Sequence, residues 1–205
     1  MILSLVKLKQ KRKKKFRNEY FAVRHGESDA NVAGIVCSHP NVAVTKFGLS
    51  KKGVKDATEA ADFFRKLPPK DLFIFSSPFL RTRETTEVIS KIIGTENVAF
   101  SNHLRERFFG TLDLQPSEYS YDRVWREDEL DGSLDSTFSC ESVYEVAIRA
   151  LQLIHDIESE FENYRIILVS HGDTIQILRR VLNKKDPCFH RYDPHVKPGG
   201  VVALT

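Results

Sequence analysis

Short apolar runs alternate with amphipathic segments along this chain, and this alternation constrains its fold more than any other feature. Five runs are typical of buried strands: Tyr20–Val23, Leu72–Phe75, Val98–Phe100, Ile166–Val169 and Val201–Leu204. Four segments have helical spacing of apolar residues: Ser50–Leu67, Thr82–Ile93, Ser142–Phe161 and about Thr174 to Leu182. Because strands separated by helices need crossover connections, we predict an α/β fold with a mostly parallel central sheet covered on both faces.

Size and cysteine content narrow the class of protein. A chain of 205 residues fits one large domain or at most two small ones. Its three cysteines, Cys37, Cys140 and Cys188, are odd in number and form no CxxC pair, which argues against a disulfide framework and a thiolate zinc finger. No stretch approaches the roughly 18 apolar residues that a membrane-spanning helix needs. We therefore expect a soluble protein of the cytoplasm.

Charge is divided unevenly between the two ends of the chain. Residues 1–17 contain eight Lys and Arg residues and no acid, out of 31 basic residues in all. The remaining 23 basic residues face all 28 acids, so the body carries a net charge of about −5. We interpret residues 1–17 as a disordered basic tail and residues 18–205 as a single domain. Nuclear import, or weak contact of residues 7–17 with nucleic acid or an anionic membrane, are the alternative interpretations of this tail.

One stretch interrupts the alternation of strands and helices. Residues Thr111–Ser139 are polar, acidic and weakly periodic, with Tyr119, Tyr121 and Trp125 scattered among them. We interpret this stretch as a partly helical insertion or lid over one end of the sheet.

Polar side chains follow three of the predicted strands, at the sheet edge where ligands of open α/β folds bind. The segments concerned are Arg24-His25-Gly26, Ser76-Ser77-Pro78 with Arg81, and Ser170-His171-Gly172. A single His-Gly pair is usually only a turn, but here two histidines and two arginines converge. Zinc is the obvious ligand of paired histidines, yet two arginines would repel a cation, and guanidinium forks match phosphate oxygens. We interpret the site as an anion pocket that contains imidazoles, and we expect no metal and no cofactor.

The same residues resemble the signature of the histidine phosphatase (phosphoglycerate mutase-like) superfamily, branch 1. Six blocks follow the family's order over about Tyr20 to Leu182: Arg24-His25-Gly26-Glu27-Ser28 with Asn31, Leu49-Ser50-x-x-Gly53, Ser76-Ser77-Pro78-x-x-Arg81-Thr82, Leu104-Arg105-Glu106-Arg107-Phe108-Phe109-Gly110, Cys140-Glu141-Ser142 and Ser170-His171-Gly172. The resemblance implies a three-layer α/β/α sandwich and a phosphohistidine intermediate formed without metal.

The resemblance also implies roles for individual residues. His25 matches the nucleophile and Glu106 the proton donor, while Arg24, Arg81 and His171 match the phosphate-holding pocket. Further substrate contacts are expected from Ser28, Asn31 and Gly172. From the residues alone, Glu27 and Asp173 are also candidate acids, because they too lie beside the histidines.

The chemistry sets two requirements on the histidines. His25 must be unprotonated at its attacking nitrogen, with the other ring nitrogen donating to a backbone carbonyl. His171 is expected to be cationic, so that it adds fixed positive charge around the phosphoryl oxygens.

Three functions remain open from the sequence. The first is a metal-independent phosphomonoesterase acting on a small phosphorylated metabolite or a phosphoprotein. The alternatives are a phosphoglycerate mutase-like isomerase and a non-catalytic module that binds a phosphorylated ligand. Residues 115–135 contain seven acids against Arg123 and Arg126, a net charge of about −5 that would repel a second acidic group of the substrate. This charge favours net phosphate release. The substrate and the oligomeric state stay open.

Overall fold

The central sheet has five strands: β1 (Glu19–Arg24), β2 (Leu72–Ser76), β3 (Val98–Phe100), β4 (Arg165–Ser170) and β5 (Val201–Ala203). The computed structural model describes residues 16–131 and 138–205. The strand order is β3-β2-β4-β1-β5. β1 to β4 are parallel and β5 is antiparallel to β1. The predicted α/β class with a mostly parallel sheet is confirmed.

The helices of the described residues are α1 (Asp29–Ala33), α2 (Pro40–Ala43), α3 (Lys51–Arg65), α4 (Leu80–Ile93), α5 (Ser117–Asp131), α6 (Val143–Glu160) and α7 (Gly172–Leu182). Short 3₁₀ turns occupy Asn102–Leu104, Gly110–Leu112 and Pro187–Tyr192. The four predicted helices are present as α3, α4, α6 and α7. The hydroxyls of Ser50 and Ser142 cap α3 and α6 by accepting from backbone N–H groups three residues on, which fixes where these helices begin.

Helices cover both faces of the sheet because successive side chains of a strand point to opposite faces. On one face, Tyr20 and Ala22 of β1 pack in a cluster with residues of α6 and α7. On the other face, Phe21 and Val23 pack in a cluster with residues of α3 and α4. The three-layer α/β/α sandwich is therefore confirmed.

The strand register brings three turns to one edge of the sheet. Arg24 pairs with Ser170 and Ser76 pairs with Val169, so β1, β2 and β4 end together. Beyond the last pairs, the backbone N–H of His25 donates to the carbonyl of Ser170 at 3.0 Å. The loops that follow these strands are consequently neighbours, as the sequence predicts.

Two predicted segments are described only in part. α5 lies within the predicted insertion Thr111–Ser139, whereas residues 132–137 fall outside the described residues. Of the predicted tail 1–17, only Phe16 and Arg17 are described. The Phe16 ring packs against Tyr20, and Arg17 contacts Glu158 and Glu162, so these two residues belong to the folded body. None of the described helices is long and apolar enough to cross a bilayer.

Candidate active site

His25 lies in the turn directly after β1, and its two ring nitrogens have different partners. Nδ1 is 2.7 Å from the carbonyl oxygen of Gly26, while Nε2 is 3.1 Å from the Nε of Arg81. Since a carbonyl accepts and a guanidinium donates, the proton sits on Nδ1 and Nε2 carries a lone pair. Burial, followed by Arg81 and Arg24, holds the pKa of His25 well below its usual range. These contacts fit the tautomer predicted for a nucleophilic imidazole.

Gly26 allows this turn because two backbone segments touch there. A Cβ at Gly26 would lie 2.2 Å from the carbonyl oxygen of Gly53, closer than atoms can approach. The contact places the start of α3 against the His25 turn.

Arg24 and Arg81 approach His25 from two elements. Arg24 ends β1, and its Nη1 donates to Nε2 of His195 at 2.7 Å and to the carbonyl of Val196 at 2.9 Å. Arg81, in the first turn of α4, donates through Nη2 to the carbonyl of Cys37 at 3.0 Å. Among the described residues, the buried Nε of Arg24 and the buried Nη1 of Arg81 have no hydrogen-bond partner. In each arginine, some guanidinium nitrogens are therefore bound within the protein, while one buried N–H group is available to a ligand.

His171 follows β4, and its ring centroid is 5.1 Å from that of His25. Its Nε2 is 2.8 Å from the hydroxyl oxygen of Ser77, and its buried Nδ1 has no partner among the described residues. Burial lowers the pKa of His171 well below its usual range, and Arg81 and His25 add to the effect. Burial, and then the neighbouring positive charges, therefore favour a neutral His171 in the free site, whereas the expected cation around a bound phosphoryl group stays a prediction. A bound phosphate dianion would oppose this lowering.

Glu106 and Asp173 are neighbouring buried carboxyl groups with opposite properties. One oxygen of Glu106 accepts from the backbone N–H of Arg107 at 3.0 Å and lies 3.3 Å from the Thr174 hydroxyl. Burial and the charge of Asp173 raise the pKa of Glu106. Burial acts in the same direction on Asp173, but His190 and two arginines outweigh it and lower the Asp173 pKa. Glu106 is thus suited to hold a transferable proton, whereas Asp173 stays ionised.

Glu27, the third candidate acid, is engaged elsewhere. Its carboxylate accepts from the Ser50 hydroxyl at 2.8 Å and lies 3.6 Å from the ammonium group of Lys52. This leaves Glu106 as the acid that best fits the predicted role.

The predicted substrate contacts Ser28 and Asn31 form a capping box at the start of α1. Each side chain accepts from the backbone N–H of the other residue, and the Ser28 hydroxyl donates to the Asn31 side-chain oxygen at 3.0 Å. Their contact with substrate stays a prediction. Gly172, the third such residue, lies beside Arg24, since a Cβ on Gly172 would be 3.5 Å from the guanidinium carbon.

Tyr121 of α5 is a site residue that the sequence reasoning did not single out. Its ring packs edge-on against Phe109, with centroids 5.1 Å apart, and stacks on Trp125 at 5.1 Å. Burial, followed by the charges of Glu106 and Asp173, raises the pKa of Tyr121, so its hydroxyl stays protonated beside the candidate acid. A helical stripe of Tyr121, Val124, Trp125 and Asp128 was the signal that could have found it.

Three contacts hold α5 close to the segments that carry Glu106 and His171. The indole N–H of Trp125 donates to Asp173 at 2.9 Å, and the guanidinium of Arg191 lies 3.7 Å from the centroid of the Trp125 ring. Asp128 accepts a bidentate pair of hydrogen bonds, at 2.5 and 2.7 Å, from the buried Arg107. α5 is thereby fixed both to the residue after Glu106 and to the start of α7.

Residues 16–131 and 138–205 contain no group of three or more His, Cys, Asp or Glu side chains arranged to hold a metal ion. The ionisable groups around His25 are instead two arginines, a second histidine and a carboxyl group. This donor set matches an anion better than a cation.

The fold and the site define an α/β protein with a cluster of arginines and histidines at one sheet edge, and the comparisons with known proteins identify its family. The model of the histidine phosphatase superfamily (branch 1) matches residues 20–205, and the chain belongs to this superfamily.

Relatives of known sequence are similar over most of their length. The chain is 29% identical to a probable phosphoglycerate mutase GpmB of Erwinia tasmaniensis over 163 residues, which cover 78% of this chain and 72% of the relative. It is 28% identical to the corresponding protein of Photorhabdus laumondii over 157 residues, 75% of this chain and 69% of the relative.

Solved structures show the same fold. A mycobacterial glucosyl-3-phosphoglycerate phosphatase in complex with VO3 has a TM-score of 0.75 and 23% identity, over 89% of this chain and 90% of the other. A phosphoserine phosphatase from Entamoeba histolytica, in complex with 3-phosphoglyceric acid, has a TM-score of 0.73 and 24% identity, over 91% of this chain and 89% of the other.

Proposed function

We propose that this protein is a metal-independent phosphomonoesterase that forms a phosphohistidine on His25. The observation that carries the proposal is a set of three buried nitrogens near His25: Nε of Arg24, Nη1 of Arg81 and Nδ1 of His171. Buried polar atoms without partners are costly, and these three lack one among the described residues. The terminal oxygens of a phosphate monoester would satisfy all three. In the tautomer in which Ser77 donates to Nε2, His171 offers an Nδ1–H for this purpose.

The reaction then has two balanced steps. The lone pair of His25 Nε2 forms a bond to phosphorus while the bond from phosphorus to the ester oxygen breaks, and Glu106 gives its proton to that oxygen. A water molecule next attacks the phosphohistidine, transfers a proton to the Glu106 carboxylate, and releases phosphate as the P–N bond breaks. Arg24 and Arg81 stabilise the negative charge on the phosphoryl oxygens throughout.

The charge of α5 supports hydrolysis over isomerisation. This helix carries six acids and two arginines. The guanidinium of Arg123 lies 5.5 Å from the centroid of the Phe138 ring, and Arg126 is exposed. A helix with this excess of acids is a poor binding surface for a second phosphate or carboxylate of the substrate.

Burial of the reacting groups supports a small substrate. His25 is 3% exposed and His171 is completely buried, so a phosphorylated side chain on a folded protein has poor access. A small phosphorylated metabolite fits the proposal better than a phosphoprotein. Isomerisation of a phosphorylated acid is the second candidate, and the likeness to probable phosphoglycerate mutases supports it.

Two assays on one preparation test the proposal. We expect phosphate release from a panel of small phosphate monoesters to exceed the interconversion of 2- and 3-phosphoglycerate in a coupled assay. His25→Ala should abolish release, because among the described imidazoles it is Nε2 of His25 that accepts directly from Arg81, whereas Nε2 of His171 is engaged by Ser77. Labelled substrate should leave an adduct on the unaltered protein that is stable in alkali and lost in acid, as a phosphoramidate is.

His155→Ala is the matched control, since His155 is exposed on α6. It should keep full activity. The proposal fails if mutase turnover exceeds phosphate release on every substrate, or if His25→Ala stays within tenfold of the unaltered protein.

A further inference from the structure

The guanidinium of Arg24 is fixed by one of its nitrogens. Nη1 carries two protons, and both are accepted within the protein, by Nε2 of His195 at 2.7 Å and by the carbonyl of Val196 at 2.9 Å. With Nη1 bound in this way, the other edge of the guanidinium, formed by Nε and Nη2, points away from His195 and Val196. The buried Nε has no partner among the described residues. Side-on recognition of a phosphate uses this pair of nitrogens.

His195 lies between two arginines, and the shorter of the two contacts indicates which ring nitrogen accepts. Its Nδ1 is 3.5 Å from Nη2 of Arg191, while Nε2 faces Arg24. Each ring nitrogen faces a guanidinium, which only donates, but a neutral imidazole has one lone pair to accept with. The shorter contact, 2.7 Å from Nη1 of Arg24, assigns that lone pair to Nε2 and the proton to Nδ1, which then makes no hydrogen bond to Arg191. Partial burial, followed by the charges of Arg24 and Arg191, lowers the pKa of His195 and keeps the ring neutral.

The loop that carries His195 is attached to the end of β1. The backbone N–H of Gly199 donates to the carbonyl of Arg24 at 3.1 Å, and the N–H of Arg24 donates to the carbonyl of Gly200 at 3.1 Å. These two hydrogen bonds keep the His195 loop next to Arg24, although the two residues are far apart in the sequence. His195 itself is exposed, so its side chain adds little to the hydrophobic core.

We propose that His195 is a positioning residue for the phosphate-binding Arg24: its Nε2 accepts from Nη1 and thereby orients the guanidinium so that Nε and Nη2 meet the phosphoryl oxygens. This inference rests on the proposed function. Without His195, the Val196 carbonyl alone would hold Nη1, and the Arg24 side chain would be free to turn about its last torsions.

Tungstate, a tetrahedral dianion, is the probe. We expect His195→Phe to weaken tungstate binding, measured by calorimetry, on the order of tenfold, because a hydrogen bond to a charged group is lost. His195→Gln should recover most of the affinity, since the Gln side-chain oxygen can reach the position of Nε2. His155→Phe, the matched control, should bind tungstate like the unaltered protein. In an Arg24→Lys background, His195→Phe should cause less than a twofold further loss.

Thermal unfolding of each variant verifies that the fold is intact, and His195→Ala repeats the test should the Phe ring disturb the loop. The assignment is overturned if folded His195→Phe and His195→Ala bind tungstate as tightly as the unaltered protein. It is also overturned if the loss is the same in the Arg24→Lys background, or if His195→Gln recovers nothing. An unaltered protein that binds no tungstate would instead overturn the proposed function, and this assignment with it.

Discussion

Glu106 and Asp173 are neighbouring acids whose surroundings shift their pKa values in opposite directions. Both are buried, but Asp173 is surrounded by His190, Arg191 and Arg107, which keep it charged. Glu106 accepts hydrogen bonds from neutral donors, and the neighbouring charge of Asp173 disfavours its ionisation. Pairs of carboxyl groups whose environments push their pKa values apart are typical of acid–base sites.

Glu106→Gln should separate proton donation from simple binding. We expect kcat/KM for alkyl phosphates to fall on the order of a hundredfold or more, because an alkoxide leaving group needs a proton. An aryl phosphate with a good leaving group should lose much less. The measurement is the ratio of the two losses, and equal losses would assign Glu106 a structural role.

The stability of Glu106→Gln provides its control. A carboxyl whose pKa is raised by folding is favourable to the fold when neutral, and it lowers stability as the pH rises above its unfolded pKa. Gln keeps the accepting oxygen and never ionises, so this variant should be at least as stable as the unaltered protein at neutral pH. A strongly lowered thermal midpoint would contradict this account of Glu106.

Among individual residues, the sequence predicts the site residues that belong to a short motif at a strand end. It misses the residues that only tertiary packing brings to the site. His25, Arg24 and His171 directly follow or end strands, so their convergence follows from a parallel sheet alone. Tyr121 and His195 reach the site through α5 and a loop before β5, and no local pattern encodes those distances. The neutral His171 of the free site was also beyond prediction from sequence, because it depends on how completely the protein interior and Arg81 surround the ring.

α5 is the element whose placement matters most to the site, and one buried ion pair anchors it. Arg107 and Asp128 are 1% and 4% exposed. The guanidinium of Arg107 donates two hydrogen bonds to the Asp128 carboxylate. Removal of one partner leaves an uncompensated buried charge, which typically costs about 3–5 kcal/mol.

Asp128→Ala should therefore lower the free energy of unfolding by about 3–5 kcal/mol. It should also reduce kcat/KM, because Tyr121 lies two turns earlier on the same helix. Urea unfolding and phosphate release measure the two effects. Asp122→Ala removes an exposed acid from the same helix and should change neither quantity appreciably. Equal stability of the two variants would show that the Arg107 pair does not anchor α5.

Sequence periodicity found four of the five long helices that the described residues form, indicated α5 only as part of an insertion, and missed the short helices. α3, α4, α6 and α7 each complete several turns, so an apolar stripe is visible in the chain. α1 and α2 span five and four residues, too few for a periodic pattern, and their caps at Ser28 and His39 involve side chains that also suit a loop. α5 lacks a regular apolar stripe because its buried face makes hydrogen bonds through Trp125 and Asp128 in addition to apolar contacts.

The whole molecule combines a negatively charged body with a basic N-terminal segment. Phe16 and Arg17 already contact the body, so residues 1–15 are the part that can be removed without loss of a described contact. The natural chain has a net charge of +3, and residues 1–15 contribute seven of its basic side chains.

Removal of residues 1–15 should leave kcat/KM for small phosphate esters and the thermal midpoint unchanged. It should abolish retention on heparin, a polyanion, because the remaining body carries more acids than bases. The salt concentration at elution is the measurement. Lys184→Gln with Lys185→Gln, which removes two exposed charges from the body, is the control and should elute near the unaltered protein. Retention of the shortened chain would assign the polyanion contact to the body.

The hydrogen bond from Arg81 to Nε2 of His25 gives the resting enzyme a form of chemical discrimination. The lone pair that attacks in the proposed mechanism already accepts a hydrogen bond from a cation, so an uncharged electrophile such as an acyl ester or an alkylating agent would find it occupied. A dianionic phosphoryl group can draw the guanidinium onto its own oxygens and release the nitrogen as it arrives. If His25 is the nucleophile proposed above, its reactivity would depend on the charge of the incoming group, and the imidazole would be protected from accidental modification between turnovers.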